Sequence, residues 1–82
     1  MKNLSNDKIS IQIADHGAEL VSIYANGTEY LWQADPQFWG RHSPVLFPIV
    51  GRVWNNTYRH KGQTYSLGQH GFARDMDFQL TY

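Results

Sequence analysis

The chain has no cysteine, only three prolines and no long apolar run. Without cysteine, disulfide bridges, thiolate metal sites and a cysteine nucleophile are excluded. Seven basic residues balance seven acidic ones, so the basic patch that usually accompanies nucleic-acid binding is missing. The longest apolar run, residues 44–51, is too short to span a bilayer, and residues 1–7 lack an apolar signal core. The sequence therefore predicts a cytoplasmic protein without nucleic-acid or membrane partners.

The length of the chain allows one small domain at most. Its 82 residues are 41% hydrophobic and 15% aromatic. A chain of this size buries only about 60–65% of the surface that its unfolded form exposes. Because an alternating apolar pattern runs up to the last residue, we predict that residues 1–82 form a single partial domain, the N-terminal segment of a larger β domain. Exposed strand edges could then support self-association.

Period-two alternation of apolar residues predicts an all-β fold. Strands are predicted at residues 9–13, 19–25, 28–32, 58–60, 63–67 and 78–82. Asn26-Gly27 and Lys61-Gly62 favour hairpin turns. Residues 44–50 contain two prolines, which predicts an extended segment across a sheet rather than a central strand. No window has sustained helical periodicity, so the predicted fold class is an antiparallel β-sandwich.

Two segments, residues 47–52 and 69–74, each place cationic residues beside glycine and aromatic or apolar residues. This mixture is typical of a pocket for a polar, uncharged or anionic small molecule. Arginine offers a fork of donors to hydroxyl or phosphate oxygens, and histidine exchanges protons near neutrality. We therefore expect Arg52, His70 and Arg74 to converge on one pocket.

Each of these candidates also has a structural interpretation. Arg52 could pair with a carboxylate or cap carbonyl groups, His70 could be satisfied by backbone groups in its loop, and Arg74 could be an ordinary exposed arginine. A zinc site built from His42, His60 and His70 is conceivable. No short metal-ligand spacing supports it, and no metal is predicted.

In the order and spacing of its motifs, the chain resembles the N-terminal part of the aldose 1-epimerase, or galactose mutarotase-like, family. The resemblance is nearest to the branch of LacX-type proteins and hexose-6-phosphate mutarotases. The most specific motifs are Phe-Pro-Ile-Val-Gly-Arg and His-Gly-Phe-Ala-Arg. The matching positions are residues 17–23, 29–32, 35–36, 39, 44–52, 58, 62, 65 and 70–74.

This resemblance implies a β-supersandwich and an isomerase that interconverts the α and β anomers of an aldose or hexose phosphate. Acid–base ring opening needs no cofactor. The resemblance also implies that Arg52 and His70 contact the sugar, with His70 as the catalytic candidate, and that Arg74 contacts a substrate phosphate. Phe72 or Trp54 could stack on the sugar.

The family's acid histidine and base glutamate lie later in its chains, so these 82 residues alone are expected to be inactive. Two other functions remain open. One is a non-catalytic carbohydrate-binding β-sandwich module that uses the same pocket. The other is a small structural β domain whose aromatic residues all belong to the core.

Overall fold

The computed structural model describes residues 1–81 as two antiparallel sheets joined by irregular segments. The larger sheet has the order β1-β2-β3-β4, and the smaller one is the hairpin β5-β6. Short 3₁₀ turns cover Trp54–Asn56 and Ala73–Asp75. The predicted all-β, antiparallel fold class is confirmed. The strands are β1 Lys2–Ser5, β2 Ser10–Ile13, β3 Leu20–Ala25, β4 Thr28–Glu29, β5 Thr57–His60 and β6 Gln63–Ser66.

Both predicted hairpin turns are present. Asn26 and Gly27, between β3 and β4, have φ of 52° and 75°. Lys61 and Gly62, between β5 and β6, have φ of 50° and 79°. Two successive left-handed residues form the tight turn whose twist matches the flanking strands. No helix among residues 1–81 has the length and apolar character to cross a membrane.

Strands β1 and β4 differ from the sequence prediction. Strand β1 was not predicted, because its four residues are all exposed and it is defined only by its pairing with β2. Strand β4 was predicted to reach residue 32 but ends at Glu29. The Glu29 carboxylate accepts the backbone N–H groups of Ile23, at 2.8 Å, and Leu31, at 3.0 Å. The Tyr30 N–H still donates to the Ile23 carbonyl at 2.8 Å, but a longer ladder would also need the Ile23 N–H, which the carboxylate accepts instead.

The strand predicted at residues 78–82 is wrong for residues 78–81, which have no ladder, and Tyr82 lies outside the described residues. The Phe78 N–H donates to the Asp15 carbonyl at 2.8 Å, next to an isolated bridge between His16 and Asp77. Alternating apolar residues favour a strand, but a strand also needs a second strand with which to form a ladder. Residues 1–81 supply no such partner for residues 78–81.

The described residues bury little apolar surface. Ala73 is their only buried apolar residue, whereas Trp54 is 85% exposed and Val50 77% exposed. The radius of gyration is 16.3 Å, compared with about 12 Å for a compact domain of this length. Open apolar surface and an unpaired edge at β1 suit a segment that packs against further structure. The predicted partial domain and self-association through strand edges stay predictions.

Candidate functional site

The two cationic segments lie side by side. The Phe47 carbonyl accepts the backbone N–H groups of Phe72, at 3.0 Å, and Ala73, at 3.2 Å. Phe47 and Gly71 also form an isolated parallel bridge. The motif that ends at Arg52 and the motif that begins at His70 are therefore joined through their backbones.

Gly71 is required at this junction. Its φ is +73°, and a Cβ on its backbone would lie 2.2 Å from the Phe47 carbonyl oxygen and 2.7 Å from Cδ of Pro48. Any side chain would push the segments apart and would also have to adopt a left-handed backbone conformation. The glycine after His70 therefore sets how closely the two motifs approach.

His70 is fixed by a reciprocal pair of hydrogen bonds with Gly51. The Gly51 N–H donates to Nδ1 of His70 at 2.8 Å, and the His70 N–H donates to the Gly51 carbonyl at 2.6 Å. His70 is half-buried, and its φ of 62° is uncommon for a residue other than glycine. Gly51 precedes Arg52, so the imidazole is held against the backbone that carries this arginine.

Arg52 is exposed and makes neither an ion pair nor a side-chain hydrogen bond within residues 1–81. The structural interpretation, an arginine paired with a carboxylate, is therefore not found in the described part of the chain. Its guanidinium group remains available to a ligand.

Arg74 lies in the 3₁₀ turn Ala73–Asp75. Its Nη2 donates to the Gln69 carbonyl at 3.2 Å, and its buried Nε has no hydrogen-bond partner within residues 1–81. Its own carbonyl lies 2.6 Å from where a Cβ of Gly17 would be, so the turn packs closely on that glycine. Arg74 is thus attached to its own loop and retains unused donors.

A separate cavity of about 820 Å³ lies beside the larger sheet. In it the buried Glu19 carboxylate accepts the His42 backbone N–H at 3.0 Å and faces His42 Nδ1 at 3.2 Å. Arg41 Nη2 lies 2.9 Å from Asp75 Oδ1, and this hydrogen bond is the main cause that lowers the pKa of Asp75. These charged groups are paired with one another, which indicates a structural network.

Sequence reasoning did not select Glu19 or His42 for this cluster. The sequence did contain a signal for this cluster: Glu19 directly precedes the apolar strand β3, and a carboxylate buried there needs a hydrogen-bond partner. His42 was named as a conceivable metal ligand, together with His60 and His70. Residues 1–81 contain no cluster of three or more histidine, aspartate or glutamate side chains placed to hold a metal ion.

None of Arg52, His70 and Arg74 lines this cavity or a second one, of about 600 Å³, between β1 and residues 78–81. In the structure His70 is hydrogen-bonded to Gly51, the residue before Arg52, and the two motifs are joined through their backbones. The convergence of all three side chains on one ligand remains a prediction. Trp54 and Phe72 are exposed, at 85% and 48%, so these two aromatic residues are not core residues of the described chain.

Comparisons with known proteins identify the family of the chain. The model of the family described as aldose 1-epimerase matches residues 2–82. The chromosomal protein LacX of Lactococcus lactis subsp. lactis is 40% identical over 83 residues, an alignment covering 94% of this chain and 28% of LacX. The plasmid-encoded LacX of the same organism gives the same values. The chain thus spans about 28% of the length of the curated relatives it matches.

Solved structures extend the likeness to the fold. A galactose mutarotase related enzyme from Lactobacillus acidophilus is 54% identical, with a TM-score of 0.90 over 95% of this chain and 27% of that one. A galactose mutarotase-like protein from Lactobacillus casei is 43% identical, with a TM-score of 0.92 over 99% of this chain and 28% of that one. The predicted resemblance, its LacX-type affinity and the predicted fold class are confirmed, and the chain belongs to the aldose 1-epimerase family.

Proposed function

We propose that the protein is a mutarotase, which interconverts the α and β anomers of an aldose or hexose phosphate, and that this chain supplies part of its sugar site. Membership of the aldose 1-epimerase family supports the reaction class. The single observation that carries the site assignment is the reciprocal hydrogen bonding between Gly51 and His70. It presents an imidazole and Arg52, which is unpaired within residues 1–81, from adjoining backbone.

In the proposed reaction, a base removes the proton of the C1 hydroxyl group while the bond between C1 and the ring oxygen breaks and the ring oxygen takes up a proton. Rotation about the C1–C2 bond and closure on the other face give the second anomer. Atoms balance without an oxidant or a cofactor, since only protons move. The principal acid and base are expected outside these 82 residues, so activity is proposed for the whole protein.

The residues of this chain bind and orient the sugar in this proposal. Arg52 donates to hydroxyl oxygens through its planar guanidinium group. His70 contacts an oxygen at the reacting end, and Arg74, whose guanidinium group has further N–H donors besides the one that Nη2 gives to Gln69, suits a phosphate oxygen. Exposed Trp54, two residues after Arg52, can pack against the apolar face of a pyranose.

The proposal is tested by following mutarotation of glucose, galactose and glucose 6-phosphate with the purified full-length protein. His70→Ala should lower the rate more than about tenfold, because loss of one preorganised hydrogen-bond donor to a reacting oxygen typically costs about 10²–10³ in rate. His60→Ala is the matched control, since His60 is exposed on hairpin strand β5. Sugar binding without turnover would favour a carbohydrate-binding module. A folded protein that neither binds nor converts any of these sugars would refute the proposal.

A further inference from the structure

We propose that His70 is held as the neutral tautomer with its proton on Nε2, and that it serves the site as a hydrogen-bond donor and not as a proton acceptor. Gly51 is the positioning residue that selects this tautomer. The part of the inference that concerns sugar rests on the proposed function. The tautomer itself rests only on the geometry of the two residues.

The geometry leaves one assignment for the neutral ring. A backbone N–H group can only donate, so the Gly51 N–H at 2.8 Å occupies the lone pair of His70 Nδ1. A neutral imidazole carries one proton, which must then be on Nε2. The return bond from the His70 N–H to the Gly51 carbonyl, at 2.6 Å, keeps the His70 backbone beside Gly51, within reach of the bond to Nδ1.

Two other histidines have the opposite arrangement, which makes the assignment specific to His70. Nδ1 of His42 lies 3.2 Å from a Glu19 carboxylate oxygen, and Nδ1 of His16 lies 2.9 Å from Asp77 Oδ1. An ionised carboxylate can only accept, so Nδ1 carries the proton in both residues. The Nδ1 atom therefore accepts a hydrogen bond in His70 and donates one in His42 and His16, according to its partner.

The tautomer limits the chemistry that His70 can perform. With Nδ1 engaged by Gly51 and Nε2 protonated, the neutral ring has no free lone pair with which to remove the proton of a C1 hydroxyl group. It can donate from Nε2 to a ring or hydroxyl oxygen. Together with Arg52, which has donors and no acceptor, it makes this side of the site a donor surface for oxygen lone pairs.

The tautomer is measured directly by two-bond ¹H–¹⁵N correlation on the full-length protein with ¹⁵N-labelled histidine, at about pH 8, above the ordinary imidazole range. We expect one ring with an unprotonated Nδ1 and a protonated Nε2, whose signals disappear in His70→Asn. His42 should give the reverse pattern and serves as the internal control. A His70 ring protonated on Nδ1, or one that exchanges between tautomers as free imidazole does, would overturn the inference.

The donor role is tested by variants that separate a donor from a base. His70→Gln offers a neutral N–H near the position of Nε2 and cannot act as a base, whereas His70→Asn offers an acceptor to Gly51 but no donor at that distance. We expect the Gln variant to keep mutarotation within roughly tenfold of the parent and the Asn variant to fall further. Equal loss in both folded variants would refute the donor role.

These measurements separate the inference from the proposed function. A protein with the expected His70 tautomer but no sugar turnover would retain the tautomer assignment and lose the mutarotase proposal. A protein that turns over sugar but has a His70 ring protonated on Nδ1 would retain the mutarotase proposal and lose the tautomer assignment. If His70→Gln fails to fold, the ¹⁵N spectrum of the parent still decides the tautomer.

Discussion

Replacing Gly71 with alanine should separate the two cationic motifs. The new Cβ would lie 2.2 Å from the Phe47 carbonyl oxygen, 2.5 Å from the carbonyl carbon and 2.7 Å from Cδ of Pro48. Two of these three atoms are backbone atoms, so no side-chain rotation relieves the contact. If Phe47 moves away, its carbonyl loses the N–H donors of Phe72 and Ala73.

The size of the effect follows from two terms. A non-glycine residue in the left-handed region costs about 1–2 kcal/mol, and Gly71 has φ of +73°. Forcing extra volume into closely packed structure typically costs a further 1–3 kcal/mol or so. We therefore expect Gly71→Ala to lower the free energy of unfolding by about 2–5 kcal/mol, a large part of the total for a typical protein.

Gly27→Ala isolates the first term. Gly27 has φ of +75°, but a Cβ there would meet no atom within 4 Å. Its free energy of unfolding should fall by only about 1–2 kcal/mol. Urea unfolding of the full-length variants, followed by tryptophan fluorescence, gives both values. Amide hydrogen exchange at Phe72 and Ala73 should accelerate only in Gly71→Ala. Equal destabilisation of the two variants with unchanged exchange would refute the close approach.

Three further variants test the site and its support. Arg52→Ala should weaken sugar binding about tenfold or more, as expected when a charged donor worth about 1.5–3 kcal/mol is lost, without changing stability. The control Arg59→Ala, on exposed strand β5, should change neither sugar affinity nor stability. If calorimetry shows the same loss of sugar affinity in both variants, Arg52 does not belong to the site. Arg74→Ala should weaken a hexose phosphate more than the free hexose, and an equal loss would count against the phosphate role. The hydroxyl group of Ser22, then backbone N–H groups, lower the pKa of Glu29 below its ordinary 4.5. Its stabilisation is therefore complete above that value and is lost as the pH falls through the lower folded-state pKa. Glu29→Gln should accordingly lose less stability than the parent between about pH 5 and about pH 3, and parallel unfolding curves across this range would contradict the assignment.

Local chemistry made the hairpins predictable. Asn26-Gly27 tolerates the two positive φ angles that the tight turn between β3 and β4 requires, and the turn then fixes the register of these strands. Pairing between distant segments is a different matter. Strand β1 has no apolar alternation of its own and is defined by its antiparallel pairing with β2, in which Leu4 lies opposite Ile11. Residues 78–81 have the alternation without the neighbour. A strand needs both an apolar alternation in its own sequence and a neighbouring strand to pair with, and only the alternation can be recognised from the sequence.

The site could be predicted in its residue types but not in its geometry. The motif pair predicted that His70 and Arg52 share a pocket, and the structure shows that their segments are joined through backbone hydrogen bonds. From the sequence, hydrogen bonding of His70 to backbone groups was an alternative to a functional role. The structure shows that these are compatible, since the backbone occupies Nδ1 and leaves Nε2. No residue pattern displays which ring nitrogen a backbone donor will reach.

The geometry of the candidate site therefore depends on Gly51 and Gly71 as well as on the cationic side chains beside them. Gly51, with φ of +89°, directs its N–H to an imidazole 19 residues further along the chain, and Gly71 lets the same loop approach Phe47. The backbone N–H of Gly51 contacts the His70 ring directly, while Gly71 sets how closely the following backbone approaches Phe47. A protein that keeps Arg52 and His70 but loses either glycine conformation would retain the charged groups and lose their arrangement. Substitution at the glycines should consequently damage sugar recognition even though neither has a side chain to offer the sugar.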